Sequence, residues 1–200
     1  MNKSVKNVLC LTLITLVAGL ALGYVYDLTK DPIAQMEENT KLEAYRSVFP
    51  EAAGFEDIGE DTLEASKVRI QSDNGCEVDS AVTAKDASGA DIGYVINVTT
   101  HEGYGGDISI SMGVDNNGTV KGVEILKISE TAGLGMKAKE NKFKDQFAGK
   151  AVSQFTYTKT GATADFEIDA ISGATITTKA VTNAVNTGLA FYGSLGGGGN

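Results

Sequence analysis

The chain has 200 residues, with 17 lysines and arginines against 26 aspartates and glutamates, a formal net charge of −9 and a pI near 4.6. No basic stripe runs through it to follow a phosphate backbone, so a nucleic-acid partner is excluded. Two cysteines and one histidine supply neither a disulfide framework nor a zinc set, and the length suits one folded core behind an N-terminal segment.

Residues 7–26, NVLCLTLITLVAGLALGYVY, carry no charge, and at about 1.5 Å per residue a helix of that length reaches roughly 30 Å, one bilayer core. A transmembrane helix is expected. The run is longer than the apolar part of a signal peptide, although Ala21-Leu22-Gly23 loosely imitates a cleavage site. Lys3 and Lys6 precede it, and Asp27, Lys30 and Asp31 follow. That lysine bias leaves residues 1–6 in the cytoplasm and the remainder outside it, on a single-pass anchor in the cytoplasmic membrane. Cys10 falls inside the span as a membrane-facing apolar residue, so Cys76 stands alone in the outer part.

Asp31-Pro32 reads as an N-cap followed by proline at the first helical position, and Ile33, Met36, Ala44, Tyr45 and Val48 recur at helical spacing. A stalk helix is expected within 27–50, stopping before Pro50. From about Val68 to Ile128 the texture becomes β-branched, with candidate strands KVRI, SAVTAK, IGYVINVTT, DISISMGVD and TVKGVEILKI. Asn117-Gly118 between the last two predicts a hairpin, which explains Asn117-Gly118-Thr119 better than a glycosylation sequon does. Residues 136–148 and 177–192 read as helices, the second through Ala180, Val181, Ala184, Val185, Leu189 and Tyr192. The fold class is therefore α+β, a largely antiparallel sheet with flanking helices. Residues 193–200, GSLGGGGN, read as a flexible tail.

The stretch Asp169-Ala170-Ile171-Ser172-Gly173-Ala174-Thr175 joins an extended segment, FEIDAI, to the start of the last helix. Free N–H groups and the positive end of the helix dipole meet there, and they favour an anion. Gly173 lets a backbone come close, while Thr175 occupies the place of an N-cap hydroxyl. A plain helix cap accounts for the same residues.

The segment resembles the flavinylation motif, Asp-x-x-Ser/Thr-Gly-Ala-Thr/Ser, of FMN-binding domains in Rnf complexes and sodium-pumping NADH:quinone reductases. Two further segments are similar to that family in order along the chain: Gly103-Tyr104-Gly105-Gly106, and Glu130-Thr131-Ala132-Gly133-Leu134-Gly135, where the family has Glu-Thr-Pro-Gly-Leu-Gly. The resemblance spans about residues 1–192, and the compact length is most similar to the G subunit of Rnf complexes. It implies an FMN-binding domain over 51–192 with FMN attached covalently, through a phosphoester, to Thr175. Ser172, Gly173 and Ala174 would shape that loop. Glu130, Thr131, Gly133, Leu134 and Gly135 would close over the cofactor, Thr131 by a hydrogen bond and Leu134 by packing on the ring, unless Leu134 is an ordinary core residue. Tyr104 faces the flavin or fills a strand edge, and Lys137 and Lys139 meet the phosphate or solvent. Asp169 would be read by a flavin transferase that moves FMN from FAD, the alternative being that it ends the FEID strand and caps a turn. Two positions depart from the family. Ala132 stands where proline is usual, and Ile128 where many members have a histidine, which removes an imidazole contact; His101, just before Gly103-Tyr104-Gly105-Gly106, reads as a surface or strand-end histidine, the alternative being a place near the site.

The implied role is electron relay as one subunit of an ion-translocating oxidoreductase, a translocase that couples ferredoxin oxidation and NAD⁺ reduction to Na⁺ or H⁺ export. Its implied partners are the membrane and iron–sulfur subunits of that complex. The chain has no dinucleotide fingerprint and no cluster-binding cysteine set of its own. Alternatives are the C subunit of a sodium-pumping NADH:quinone reductase, or an anchored binding module without redox chemistry.

Overall fold

The computed structural model describes residues 3–69 and 75–196. Residues 197–200 of the expected tail and Ile70 of the KVRI segment lie outside the described residues. The chain divides into two units, residues 1–40 and 41–200.

The first unit belongs to helix α1, Lys3–Val48. Its large apolar side chains, among them Leu9, Ile14, Leu20 and Tyr26, are exposed, and the helix is long and apolar enough to cross a membrane. Thr12 and Thr29 donate their hydroxyls to the carbonyls of Val8 and Val25, one turn back. Their polar atoms thus find partners within the helix itself. Pro32 lies inside α1, where the sequence had suggested a separate helix beginning at Asp31. The proline lacks only one N–H donor, and the good helix formers on either side keep the helix going through a position that costs about 3 kcal/mol in isolation.

The second unit is built on five strands, β1 (Gly54–Asp57), β2 (Cys76–Lys85), β3 (Asp91–Thr100), β4 (Ile108–Asp115) and β5 (Val120–Lys127). They form one antiparallel sheet in sequential order. The β4–β5 hairpin turns at Asn117-Gly118 as expected. Gly118 has φ +79, and the Asp115 carboxylate accepts the amides of Asn117 and Thr119, both at 2.9 Å.

Side-chain alternation gives the sheet two covered faces. Ile96, Val98, Ile110, Met112 and Val114 are fully buried on one face with helix α4 (Thr175–Ser194). Gly188 of α4 permits close contact, since a Cβ there would stand 2.5 Å from the Met112 terminal methyl. On the other face Val82, Ala84 and Val95 lie under Tyr45, Val48 and Phe49. Gly113 and Gly122 are directly paired across β4 and β5, and a Cβ on Gly113 would come within 2.6 Å of the Val48 carbonyl oxygen. The last turn of α1 is therefore part of this core.

Two expectations are corrected. Lys67, Val68 and Arg69 of KVRI are helical and not in a strand. Helix α2 covers Glu60–Arg69 with acidic residues in its first turn, Lys67 pairs with Glu64 at 3.3 Å, and Leu63 packs on the core. One β-branched valine does not outweigh a local run of helix formers. Nor is 136–148 one helix. A 3₁₀ turn spans Gly135–Lys139, Glu140 is extended at ψ 140°, and a short α3 follows at Asn141–Lys144. The break lets Phe143 and Phe147 meet edge-to-face at 5.7 Å, and Phe147 meet Phe155 at 5.1 Å. It also sets Lys144 within 2.6 Å of the Glu124 carboxylate. Two short parallel strands, β6 (Thr156–Thr158) and β7 (Glu167–Asp169), complete the unit; β6 has too few residues to read from pattern alone.

Candidate functional site

Three chain segments converge at one end of the sheet. The turn Gly103–Gly106 links β3 to β4, the loop Glu130–Gly135 follows β5, and Gly173–Thr177 opens α4. Between them lies a cleft of about 590 Å³, lined by Tyr104, by Glu130, Thr131, Leu134 and Gly135, and by Gly173, Ala174, Thr175, Ile176 and Thr177. The volume falls within the range of small-molecule sites, about 300–1,000 Å³.

Glu130 is buried, and its Oε1 accepts the backbone amides of Tyr104 at 2.7 Å and Gly105 at 3.2 Å. Gly135 has no room for a side chain: a Cβ would lie 2.7 Å from Glu130 Oε2 and from Thr177 Oγ1. The buried Thr177 therefore stands beside Glu130 on the polar side of the cleft. The rim is apolar by contrast. Tyr104, Leu134 and Ile176 are 72%, 42% and 53% exposed, an arrangement that a globular chain keeps where something covers it. Gly173 has φ +77, and Leu134 reaches over it.

The N-cap of α4 is Ala174, with no side-chain capping bond. Thr175 is thus the first helical residue and not the cap, which corrects the expectation from sequence. The first N–H groups of α4 lack a capping side chain where the helix meets the cleft, an arrangement suited to an anion. Thr178 is buried and occupied, accepting the Ile171 amide at 3.0 Å and donating to Ala174 at 2.9 Å. It fixes the loop that carries the motif.

Not every candidate residue enters the cleft. Ser172 and Asp169 instead line a neighbouring hollow of about 400 Å³ with Lys137, Glu140 and Lys142. The Asp169 carboxylate accepts the Ala162 amide at 2.7 Å. Gly133, at φ +75, shapes its loop without lining the cleft. His101 hydrogen-bonds Asp107 at 2.8 Å across the base of the Gly103–Gly106 turn, and that carboxylate pushes its pKa up. On the same segment Glu102 accepts Lys179 Nζ at 2.9 Å and Asn183 Nδ2 at 2.6 Å, which ties the turn to α4 and holds the Glu102 carboxyl below the usual carboxylate range.

Residues 103–190 match the FMN-binding domain family, a span that contains the whole cleft. The G subunit of the Na(+)-translocating ferredoxin:NAD(+) oxidoreductase complex of Acetobacterium woodii is 33% identical over 189 residues, covering 94% of this chain and 90% of that one. The chain belongs to the G-subunit family of ion-translocating oxidoreductase complexes. Other G subunits that resemble it include those of Aliivibrio fischeri, 31% identical with 94% and 89% of the two chains covered, and Methanosarcina acetivorans, 29% identical with 92% of each. Two solved structures share the fold. The C subunit of the Na(+)-translocating NADH-quinone reductase of Parabacteroides distasonis has a TM-score of 0.50 at 25% identity, covering 60% of this chain and 63% of that one. NqrC of Shewanella oneidensis has a TM-score of 0.53 at 16% identity, covering 76% and 85%.

The sequence alone did not mark Ile176 and Thr177 as cleft residues of this G-subunit domain. Thr177 looks like an ordinary first-turn threonine, and Ile176 like a core residue. No spacing signal marks them: successive side chains of a helix are about 100° apart, and Ile176 and Thr177 reach the cleft only because it wraps around the start of α4.

Proposed function

We propose that this chain is the flavin-carrying electron relay of an Rnf-type complex, with FMN in the cleft and its phosphate esterified to the hydroxyl of Thr175. The observation that carries the reading is the start of α4, where Thr175, Ile176 and Thr177 line the cleft and no side chain caps the helix. FMN supplies the reversible electron storage that no side chain of this chain offers. The residues present fit that group. N–H groups of the first turn stabilise phosphate charge. Thr131 and Thr177 offer hydroxyls to the polar part of the cofactor, and Tyr104, Leu134 and Ile176 form an apolar rim that covers a flat ring and keeps water from it.

Attachment is a group transfer from FAD. The Thr175 oxygen bonds to the phosphorus on the FMN side, the phosphorus–oxygen bond to AMP breaks, AMP leaves, and the hydroxyl proton passes to a base of the flavin transferase. Asp169 is a recognition element for that transient partner. Outside the cytoplasm a covalent bond keeps the flavin from being lost to the medium. Helix α1 anchors the chain in the cytoplasmic membrane as a single span with residues 41–200 on the extracytoplasmic side, a reading supported by Lys3 and Lys6 before the span. The remaining partners are the membrane and iron–sulfur subunits of the complex, whose turnover drives Na⁺ or H⁺ export.

The test is the intact mass of denatured protein made in a host with the transferase. A mass raised by one FMN less one water, with the peptide adduct on Thr175, is expected; an unmodified mass overturns the reading. Sidedness is checked with an Ala87→Cys variant, since Ala87 is exposed. Labelling of intact cells by a membrane-impermeant thiol reagent is expected, and labelling only after lysis places the domain inside.

A further inference from the structure

We infer that Glu130 is a positioning residue: its carboxylate holds the Tyr104 wall of the cleft in place before any cofactor arrives. The inference rests on the FMN reading for its consequence, but its geometry stands without it. Oε1 of Glu130 accepts two successive amides, those of Tyr104 at 2.7 Å and Gly105 at 3.2 Å. This one oxygen joins segments 25 and 26 positions apart in sequence. The packing around it admits little alternative. A Cβ on Gly105 would come within 2.0 Å of the Ser129 carbonyl oxygen, one on Gly103 within 3.1 Å of Glu130 Oε1, and one on Gly135 within 2.7 Å of Glu130 Cβ.

Gly103 is tightest against the Gly106 carbonyl oxygen, at 2.1 Å from an added Cβ, and Gly105 against that of Ser129, while Gly135 is tightest against the Glu130 side chain itself. All three leave the turn and the loop close enough for the Glu130 carboxylate to reach both amides. An ionised acceptor facing paired backbone N–H groups makes hydrogen bonds roughly twice as strong as a neutral one. Tyr104 is consequently 72% exposed and yet sits on an anchored turn. Just before that turn Glu102 is held by Lys179 and Asn183 of α4, so the turn is fastened at its start and at its middle. A wall fixed in this way meets a flat ligand without an ordering cost at the moment of binding.

The experiment compares the full chain with Glu130→Gln and Glu130→Ala by hydrogen exchange in the flavin-free state, and by visible circular dichroism after flavin loading. Exchange at the Tyr104 and Gly105 amides should rise about threefold to tenfold in Glu130→Gln, whose neutral oxygen is a weaker acceptor, and further in Glu130→Ala. Val98, in the centre of the sheet, should exchange as in the wild type. In loaded protein the flavin dichroism should change in Glu130→Ala and return toward wild type in Glu130→Gln. Unchanged exchange at Tyr104 and Gly105 in both variants overturns the inference, as does a rise in Glu130→Gln spread equally to Val98, which would make Glu130 a residue of the general fold. Altered exchange with flavin dichroism identical to wild type overturns the positioning role while leaving the clamp. A wild type that never acquires flavin defeats the FMN reading alone, because the exchange comparison needs no cofactor.

Discussion

Leu134 and Gly173 meet across the mouth of the cleft: a Cβ added to Gly173 would stand 3.0 Å from Leu134 Cδ2. The contact joins the loop after β5 to the turn that enters α4, two segments remote in sequence. Gly173 is also held at φ +77. A side chain there bears a backbone strain of about 1–2 kcal/mol and must also displace Leu134. Gly173→Ala should therefore lower the unfolding free energy by at least that amount and reduce flavin loading. Gly133→Ala is the comparison, at φ +75 with open space around it. It should carry the strain alone, and equal losses of loading in the two variants would show that the Leu134 contact does not matter.

The end of α1 makes a second prediction. Gly113 faces the Val48 carbonyl at a distance that a methyl group cannot share, 2.6 Å from an added Cβ. Overpacking of this kind costs typically about 1–3 kcal/mol. Gly113→Ala should lower the melting temperature of the domain, whereas Gly54→Ala, with nothing within 4 Å and no positive φ, should leave it nearly unchanged. Differential scanning calorimetry of the two variants separates these outcomes.

The ion pair at the base of the turn sets a pH dependence. Lys179 first, then Asn183, holds the Glu102 carboxyl below the usual carboxylate range. A carboxyl whose pKa is lowered by folding contributes stability above its unfolded pKa and loses it as pH falls through the folded value. The stability difference between wild type and Glu102→Gln should thus be full near neutral pH and vanish in acid, below the ordinary glutamate range. Melting curves taken from pH 7 downward check it; a difference that grows on acidification contradicts the pairing.

Much of this was readable from sequence because the signals were local. Asn117-Gly118 dictates its own turn, the β-branched runs of β2 to β5 have turn signals between them, and α4 carries an unbroken apolar stripe. What escaped depends on distant partners. Val68 joins α2 since helix formers precede it, and Glu140 breaks the helix after the loop where Phe143 and Lys144 turn to Phe147 and Glu124. The site shows the same division. Motif order brought Tyr104, Glu130, Leu134 and Thr175 together, but no spacing rule tells that Glu130 faces the amides of Tyr104 and Gly105, or that Ser172 turns away toward Asp169.

Asp169 needs a variant that respects its neighbours. Its carboxylate accepts the Ala162 amide at 2.7 Å, so Asp169→Ala removes a turn contact together with any recognition element. Asp169→Asn keeps an acceptor and removes the charge. If a transferase reads the charge, Asp169→Asn should fold with an unchanged melting temperature and acquire little covalent flavin. Full loading of that variant assigns Asp169 to the turn alone.

Thr175 is the sharpest case, because the structure separates its chemistry from its contribution to stability. The helix cap is Ala174, without a side-chain capping bond, so removing the Thr175 hydroxyl takes no capping bond from the helix. The loss of about 0.5–2 kcal/mol that accompanies removal of a capping threonine does not apply. Thr175→Ala should change stability by less than about 0.5 kcal/mol, the usual range for a substitution away from caps and core. Its effect on flavin should be complete, since no other hydroxyl occupies the same position. Ser172 lines the neighbouring hollow, and Thr178 is buried and engaged with Ile171 and Ala174. Thr131 and Thr177 are the remaining rivals within the cleft, but Thr131 lies on the loop after β5, away from the first N–H groups of α4, and Thr177 is buried beside Gly135, whereas Thr175 is half-buried. Thr175→Ser should retain part of the covalent flavin, because the oxygen survives on a less restricted side chain. Denatured intact mass with peptide mapping decides between them: an adduct on Thr175→Ala, or one that maps to Thr177 in the wild type, moves the attachment point further along the helix.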